Sequence, residues 1–306
     1  MKKSLFLLLA LFACMAVKAQ NAVKVSVKVN DVSFNMVQVQ GGRFNMGGTA
    51  EQPQYEDDEF PIHVVTLPDY FIGETEVTQR LWMAVMDDNP SGFTGDLDLP
   101  VERVTWNDCQ NFINKLNEAT GLSFRLPTES EWEFAARGGI YSKIYQYSGS
   151  DNIDEVAWHG GNSGEQTHPV AKLKPNELGI YDMSGNVFEW CQDYYGDYDM
   201  MPQESPTGPE SGETRVRRGG AYSGSTNGPR VAYRNYELDN IRFAYIGFRL
   251  AATSIPLEAT GIAATKADNL ASTRYTITGQ PASNSYNGII IENRQKKLTR
   301  TSSPRP

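Results

Sequence analysis

The chain has 306 residues and a net charge of −9, from 28 Lys and Arg against 37 Asp and Glu. That balance excludes a nucleic-acid binder, which needs a basic face to neutralise phosphates. The length suits one large domain with appendages, and 27 glycines and 16 prolines promise much turn and loop.

Residues 1–19 read as a secretory signal peptide: Lys2 and Lys3, an apolar run from Leu5 to Val17, then the small-residue site Val17-Lys18-Ala19 before Gln20. Cleavage there removes three lysines and takes the charge from −9 to −12. The run is too short for a membrane span. Leu11-Phe12-Ala13-Cys14 resembles a lipoprotein cleavage box, with Phe12 an awkward fit. The expectation is a secreted or periplasmic, cell-envelope protein, membrane-attached only if lipidated at Cys14. Cys109 and Cys191 then remain, two thiols that make no disulfide framework and read as buried and free.

Two alternating runs around Asn30-Asp31 predict a hairpin over 23–39. The acidic stretch 51–59 reads as a solvated loop, 62–67 as a short strand with His63 at its surface or end. Thr78, Thr105 and Thr128 each precede a helical pattern: 79–86, a longer one from Trp106 that Gly121 ends, and one through Arg137 with the Thr128/Glu131 capping box. Glu129, Glu131 and Glu133 read as architecture. From 141 to 211 the periodicity disappears; His159 and His168 there make a weak zinc signal, with no third ligand. After Ala252 the composition turns to Ala, Thr and Ser, giving a linker and a tail with two short strand candidates, 275–277 and 288–292.

Residues 178–190, Leu-Gly-Ile-Tyr-Asp-Met-Ser-Gly-Asn-Val-Phe-Glu-Trp, organise the chain. Glycines interrupt large apolar side chains, so neither helical nor strand period persists. The stretch reads as a buried loop with Tyr181, Phe188 and Trp190 filling the core. Its carbonyls and the Asp182 and Glu189 carboxylates then need partners. A hard cation such as Ca²⁺ satisfies them; a tight hydrogen-bonded loop without metal does so too.

This loop resembles the signature of the formylglycine-generating enzyme, or sulfatase-modifying factor, family. Three other blocks match in order: Met-Val-Gln-Val-Gln-Gly-Gly-Arg-Phe-Asn-Met-Gly within 35–48, Phe-Arg-Leu-Pro-Thr-Glu-Ser-Glu-Trp-Glu-Phe-Ala-Ala-Arg-Gly-Gly over 124–139, and 218–250, opening Arg-Gly-Gly and closing Ile-Gly-Phe-Arg-Leu. The resemblance implies an α+β, C-type-lectin-like fold with little regular secondary structure. The organisation expected is 1–19 signal peptide, 20–33 N-terminal strand segment, 34–252 main domain, 253–306 linker and tail. It also implies a calcium site using the side chains of Asp182 and Glu189 and the backbone of Gly185 and Val187.

Members of the family that oxidise cysteine to formylglycine hold copper(I) between two cysteines five residues apart, after Arg-Gly-Gly, as soft thiolates prefer. Counted from Tyr222, those positions here are Gly224 and Pro229, and Ala221 replaces the usual serine. Copper and catalysis are therefore not expected. Three readings follow, in this order: a non-catalytic module binding a glycan or protein through the surface holding Tyr222, Asn227, Arg230, Tyr233, Arg234, Tyr236 and Tyr245; a structural subunit of an envelope complex; and a formylglycine-generating oxidase with an atypical metal site. Tyr with Asn, Ser and Gly is the composition of adaptable binding loops. For Tyr233 and Arg234, packing and pairing in the core stands as the alternative.

Overall fold

The computed structural model describes residues 23–256 and two tail strands. The chain divides into two units between Ile255 and Pro256. Residues 1–19, Cys14 included, and most of the tail lie outside the described residues. Within the tail, β15 (Tyr275–Thr276) pairs antiparallel with β16 (Ile290–Ile291), at the two expected places.

The main unit begins with the expected hairpin: β1 (Lys24–Val29) turns through left-handed Asn30 into β2 (Val32–Val39). Strands β3 (Gly42–Met46) and β4 (His63–Leu67) pair antiparallel, and β5 (Tyr70–Gly73) joins β2. All three helices start at the predicted threonines. Thr78 accepts from Leu81 N ahead of α1 (Gln79–Met86). Thr105 and Asp108 cap α2 (Trp106–Thr120), which stops at left-handed Gly121. After β6 (Phe124–Arg125), Thr128 and Glu131 cap α3 (Glu129–Ala136) reciprocally.

The rest is strand and ordered loop: β7 (Ala157–Trp158), β8 (Ser184–Gly185), β9 (Phe188–Tyr194), β10 (Gln203–Glu204), β11 (Thr214–Arg218), β12 (Arg234–Leu238), β13 (Ile246–Gly247) and β14 (Ala251–Ala252). They complete a five-stranded sheet β1-β2-β5-β14-β6, a four-stranded sheet β12-β11-β9-β13, a three-stranded sheet β10-β4-β3 and the pair β7-β8. The fold is α+β, as expected, with more strand than helix among the described residues.

The five-stranded sheet separates two apolar cores, because successive side chains leave a strand on opposite faces. Val25, Val27 and Met36 face α1 and α2, where Trp82 stacks on Phe112 at 5.1 Å. Val37, Val39, Tyr70 and Ile72 face α3 and the loop around Ile180.

Three expectations need correction. The second half of the 178–190 stretch is a strand, β9, not loop: it runs between β11 and β13 and is buried on both faces at Glu189, Trp190 and Cys191, so it shows no alternation. Of its three aromatics only Trp190 is fully buried, whereas Tyr181 and Phe188 are half-buried. The acidic loop is not simply solvated, since Glu59 is completely buried.

Candidate functional site

Asp182 and Asn186 both adopt left-handed backbone, at φ 57° and 58°, and fold the loop between Ile180 and β9 over itself. Asp182 Oδ2 accepts from Ala171 N at 2.7 Å. Glu189 is held by three donors: Arg249 Nε and Trp132 Nε1 on Oε2, and Arg249 Nη2 on Oε1, each at 2.6 Å. Glu76, which sequence reasoning passed over, reaches the same place and accepts from Val187 N at 3.1 Å and Asn186 Nδ2 at 2.8 Å.

Three buried carboxylates thus face one guanidinium. Burial pushes the Asp182 carboxyl up to about 6, with Glu189 adding to the rise against the Ala171 N–H and Arg249. Burial, then the charges of Asp182 and Glu189, push Glu76 well above the ordinary range. Among the described residues the Val187 carbonyl accepts no hydrogen bond. Glu189 keeps one lone pair, on Oε1, after its three donors are counted. No three His, Cys, Asp or Glu side chains among the described residues converge closely enough to chelate an ion alone. A cation here needs backbone carbonyls as well, and the uncompensated negative charge and all-oxygen donors suit a hard one such as Ca²⁺.

The acidic residues of α3 do the architectural work expected of them. Glu129 holds Arg234 by two bonds, 2.7 and 2.9 Å; Glu131 holds Arg125 at 2.6 and 2.7 Å; Glu133 pairs with Arg218 and, at 2.8 Å, Arg137. This decides the fate of two proposed contact residues. Arg234 is buried between Glu129 and the rings of Tyr195 and Tyr198, the latter 3.8 Å away. Arg230 is wholly buried on Glu59 and Asn227. Both guanidiniums are held by carboxylates and buried, and of the two Arg234 still borders hollows described below. Tyr222 is buried too, edge-on to Phe93 at 5.2 Å. Asn227 bridges Arg230 and Glu56, a latch between two loops.

Tyr233, Tyr236 and Tyr245 do share one face. A hollow of about 260 Å³ is walled by Phe188, Tyr233 and Tyr245 over Gly220 and Gly228. Arg217 lies against the Phe188 and Tyr245 rings, at 4.6 and 5.5 Å. A shallower hollow, about 610 Å³, shares Tyr233 and Asn235 and adds Tyr55, Glu56, Asp57, Asp58, Arg234 and Tyr236. Tyr236 is 48% exposed. The acids of this second hollow were missed because a charge run in a loop reads as solvated surface. Gly224 lines the first hollow at φ 102°, and Pro229 is buried beneath it. Cys109 and Cys191 are fully buried in the two separate cores.

His159 pairs with Asp154 at 2.9 Å, while His168 stacks on Trp158 at 3.8 Å and bonds the Ser163 carbonyl. Both are structural.

A sequence model of the Sulfatase-modifying factor enzyme 1-like domain matches residues 24–254. The chain belongs to this family. A relative in Paenibacillus barcinonensis named chaperone protein LppX is 38% identical over 66% of this chain and 83% of its own length. A formylglycine-generating enzyme of Thermomonospora curvata is 30% identical over 72% of this chain and 94% of its own. Among solved structures, Treponema denticola variable protein 1 superposes with a TM-score of 0.69 at 35% identity, over 76% of this chain and 99% of that one. The fold is thus the formylglycine-generating-enzyme-like, C-type-lectin-like one. Among the described residues no helix is long and apolar enough to cross a membrane.

Proposed function

We propose that this family member is a non-catalytic, exported binding module whose Tyr233-centred face takes a glycan or a protein segment. The observation that carries this reading is the composition of the face: exposed aromatic rings beside a rim of Glu56, Asp57 and Asp58, with no thiol lining it. Rings stack on the apolar faces of sugars or on side chains, and carboxylates accept from hydroxyl or cationic groups. The name of the Paenibacillus relative, a chaperone, supports a protein ligand. In this reading calcium is structural: Asp182, Glu189 and the Gly185 and Val187 carbonyls hold it, with Glu76 balancing the charge from behind.

Glycan and peptide arrays probed with the domain test this, with a Tyr236→Ser/Tyr245→Ser variant alongside. Tyr236 is exposed and Tyr245 partly so, and a cooperative melting curve checks that the variant is folded. The expected result is a set of ligands lost in the variant; ligands retained by it, or none on either array, refute the reading. Export is checked by intact mass from the native host, expected to begin at Gln20; a diacyl mass on Cys14 would place the protein on a membrane instead. The 30% identity to a formylglycine-generating enzyme favours an oxidase as the second reading, and the peptide assay in the Discussion separates the two.

A further inference from the structure

Another cavity lies away from the Phe188 hollow and the 178–190 loop. It measures about 510 Å³, between β4, the start of α3, the end of β9 and the loop that follows β9. Two deeply buried side chains line it with one polar atom each left free. Asp193, 3% exposed, uses Oδ2 to accept from Glu129 N at 3.0 Å, while its Oδ1 makes no hydrogen bond among the described residues. His63, also 3% exposed, directs Nδ1 to the Pro61 carbonyl at 3.0 Å. A carbonyl only accepts, so Nδ1 carries a proton, and in that tautomer Nε2 offers a lone pair. That Nε2 also has no partner among the described residues.

We propose that this cavity is a binding site for a ligand bearing a protonated primary amine, received by Asp193 Oδ1 and His63 Nε2. Two free acceptors on deeply buried side chains lining one cavity suit a ligand that brings hydrogen-bond donors. An ammonium has three donors, no acceptor and a compact charge. The charge balance agrees. Arg234 is the one arginine or lysine lining the cavity, and both oxygens of Glu129 already hold it. Asp199 and Glu204 stand exposed at the mouth and leave it negative. Met46, Pro206 and Pro209 supply apolar wall for a methylene stem. A bare metal ion suits the cavity less well, because no three ligating side chains converge among the described residues. Burial and the neighbouring Glu129 charge also push the Asp193 carboxyl well up, a cost that a bound cation offsets.

The test is calorimetric titration of the full chain with 1,4-diaminobutane, and with 1,4-butanediol as the neutral counterpart. Saturable one-to-one binding of the diamine is expected, with the diol at least tenfold weaker. Asp193→Asn should weaken the diamine at least tenfold. Glu204→Gln, an exposed change that leaves folding alone, should weaken it two- to threefold and flatten its salt dependence. Asp98→Asn, outside the cavity, should leave it unchanged. No saturable diamine binding, equal binding of the diol, or full affinity in a folded Asp193→Asn protein would each overturn the proposal. If Asp193→Asn does not fold, the diol comparison and Glu204→Gln decide alone.

Discussion

Glu59 and Arg230, 171 positions apart in the chain, close on one another with both side chains fully out of solvent. Arg230 Nη1 meets Oε2 at 2.9 Å and Nη2 takes Oε1, so the fork is bidentate. The pair pins the acidic 51–59 loop to the loop that lines the Phe188 hollow. A pair of this kind adds little over a well-packed apolar substitute, but removing one partner strands a buried charge.

Arg230→Met should therefore cost about 3–5 kcal/mol in urea unfolding and expose the 51–59 loop to limited proteolysis. The double variant Glu59→Gln/Arg230→Met should be less damaging than the sum of the two single changes. Additive losses would show that the two residues act separately.

Calcium should raise the melting temperature of the purified domain over a chelated sample. A ligand bound only by the native state adds about 2.7 kcal/mol at a hundredfold excess over its Kd. Asp182→Asn should abolish that increment, and without calcium it should melt no lower than the parent, because it removes a disfavoured buried charge. Identical curves with and without calcium for the parent would rule the metal out.

The Asp193 carboxyl, raised by burial and by the charge of Glu129, makes a pH prediction. The native state binds its proton more tightly than the unfolded chain does. Its stabilising contribution is thus complete below the ordinary carboxylate range, about pH 4, and is lost as pH rises towards the elevated folded value. Asp193→Asn removes this loss. The variant should melt higher than the parent at pH 7.5, and the gap should close as the pH is lowered to about 4. A gap independent of pH would mean that folding does not raise the Asp193 carboxyl.

Formylglycine formation should be absent. Incubated with copper, a reductant, oxygen and a sulfatase-type Cys-x-Pro-x-Arg peptide, the domain should leave the peptide mass unchanged; conversion to the aldehyde would refute the binding-module reading. Burial pushes both core thiols well up, so a thiol reagent should label Cys109 and Cys191 only after denaturation. Gly224→Cys should not restore copper binding, since φ 102° is a backbone region that L side chains rarely adopt.

What was legible in the sequence was whatever local chemistry decides. Thr78, Thr105 and Thr128 gave the three helix starts, Asn30 the hairpin turn and Gly121 the helix stop. The four blocks carried the family. What stayed hidden was long-range pairing. Glu189 looked like a free ligand because nothing near it in sequence announces Arg249, 60 positions on. Arg230 looked like a surface cation for the same reason, its carboxylate lying 171 positions away, whereas for Arg234 core pairing had stood as the alternative and Glu129, 105 positions away, supplies it. Glu76 escaped because a lone acid in a short segment carries no period. His63 read as a strand-end residue, which it is, yet β4 turns it inward against Tyr198, 4.6 Å between ring centres.

Strand β14, Ala251 and Ala252, is the last strand of the domain and is bordered on both sides, by β5 and by β6. Until those two alanines have left the ribosome, Ile72 and Arg125 have no strand to join them, and the sheet dividing the two cores stays in two pieces. The domain therefore cannot close progressively as it is synthesised. A protease, a chaperone or a translocation pore that acts on open chain has some 230 residues of synthesis in which to find it, counted from Lys24 to Ala252, and loses it once this short strand docks.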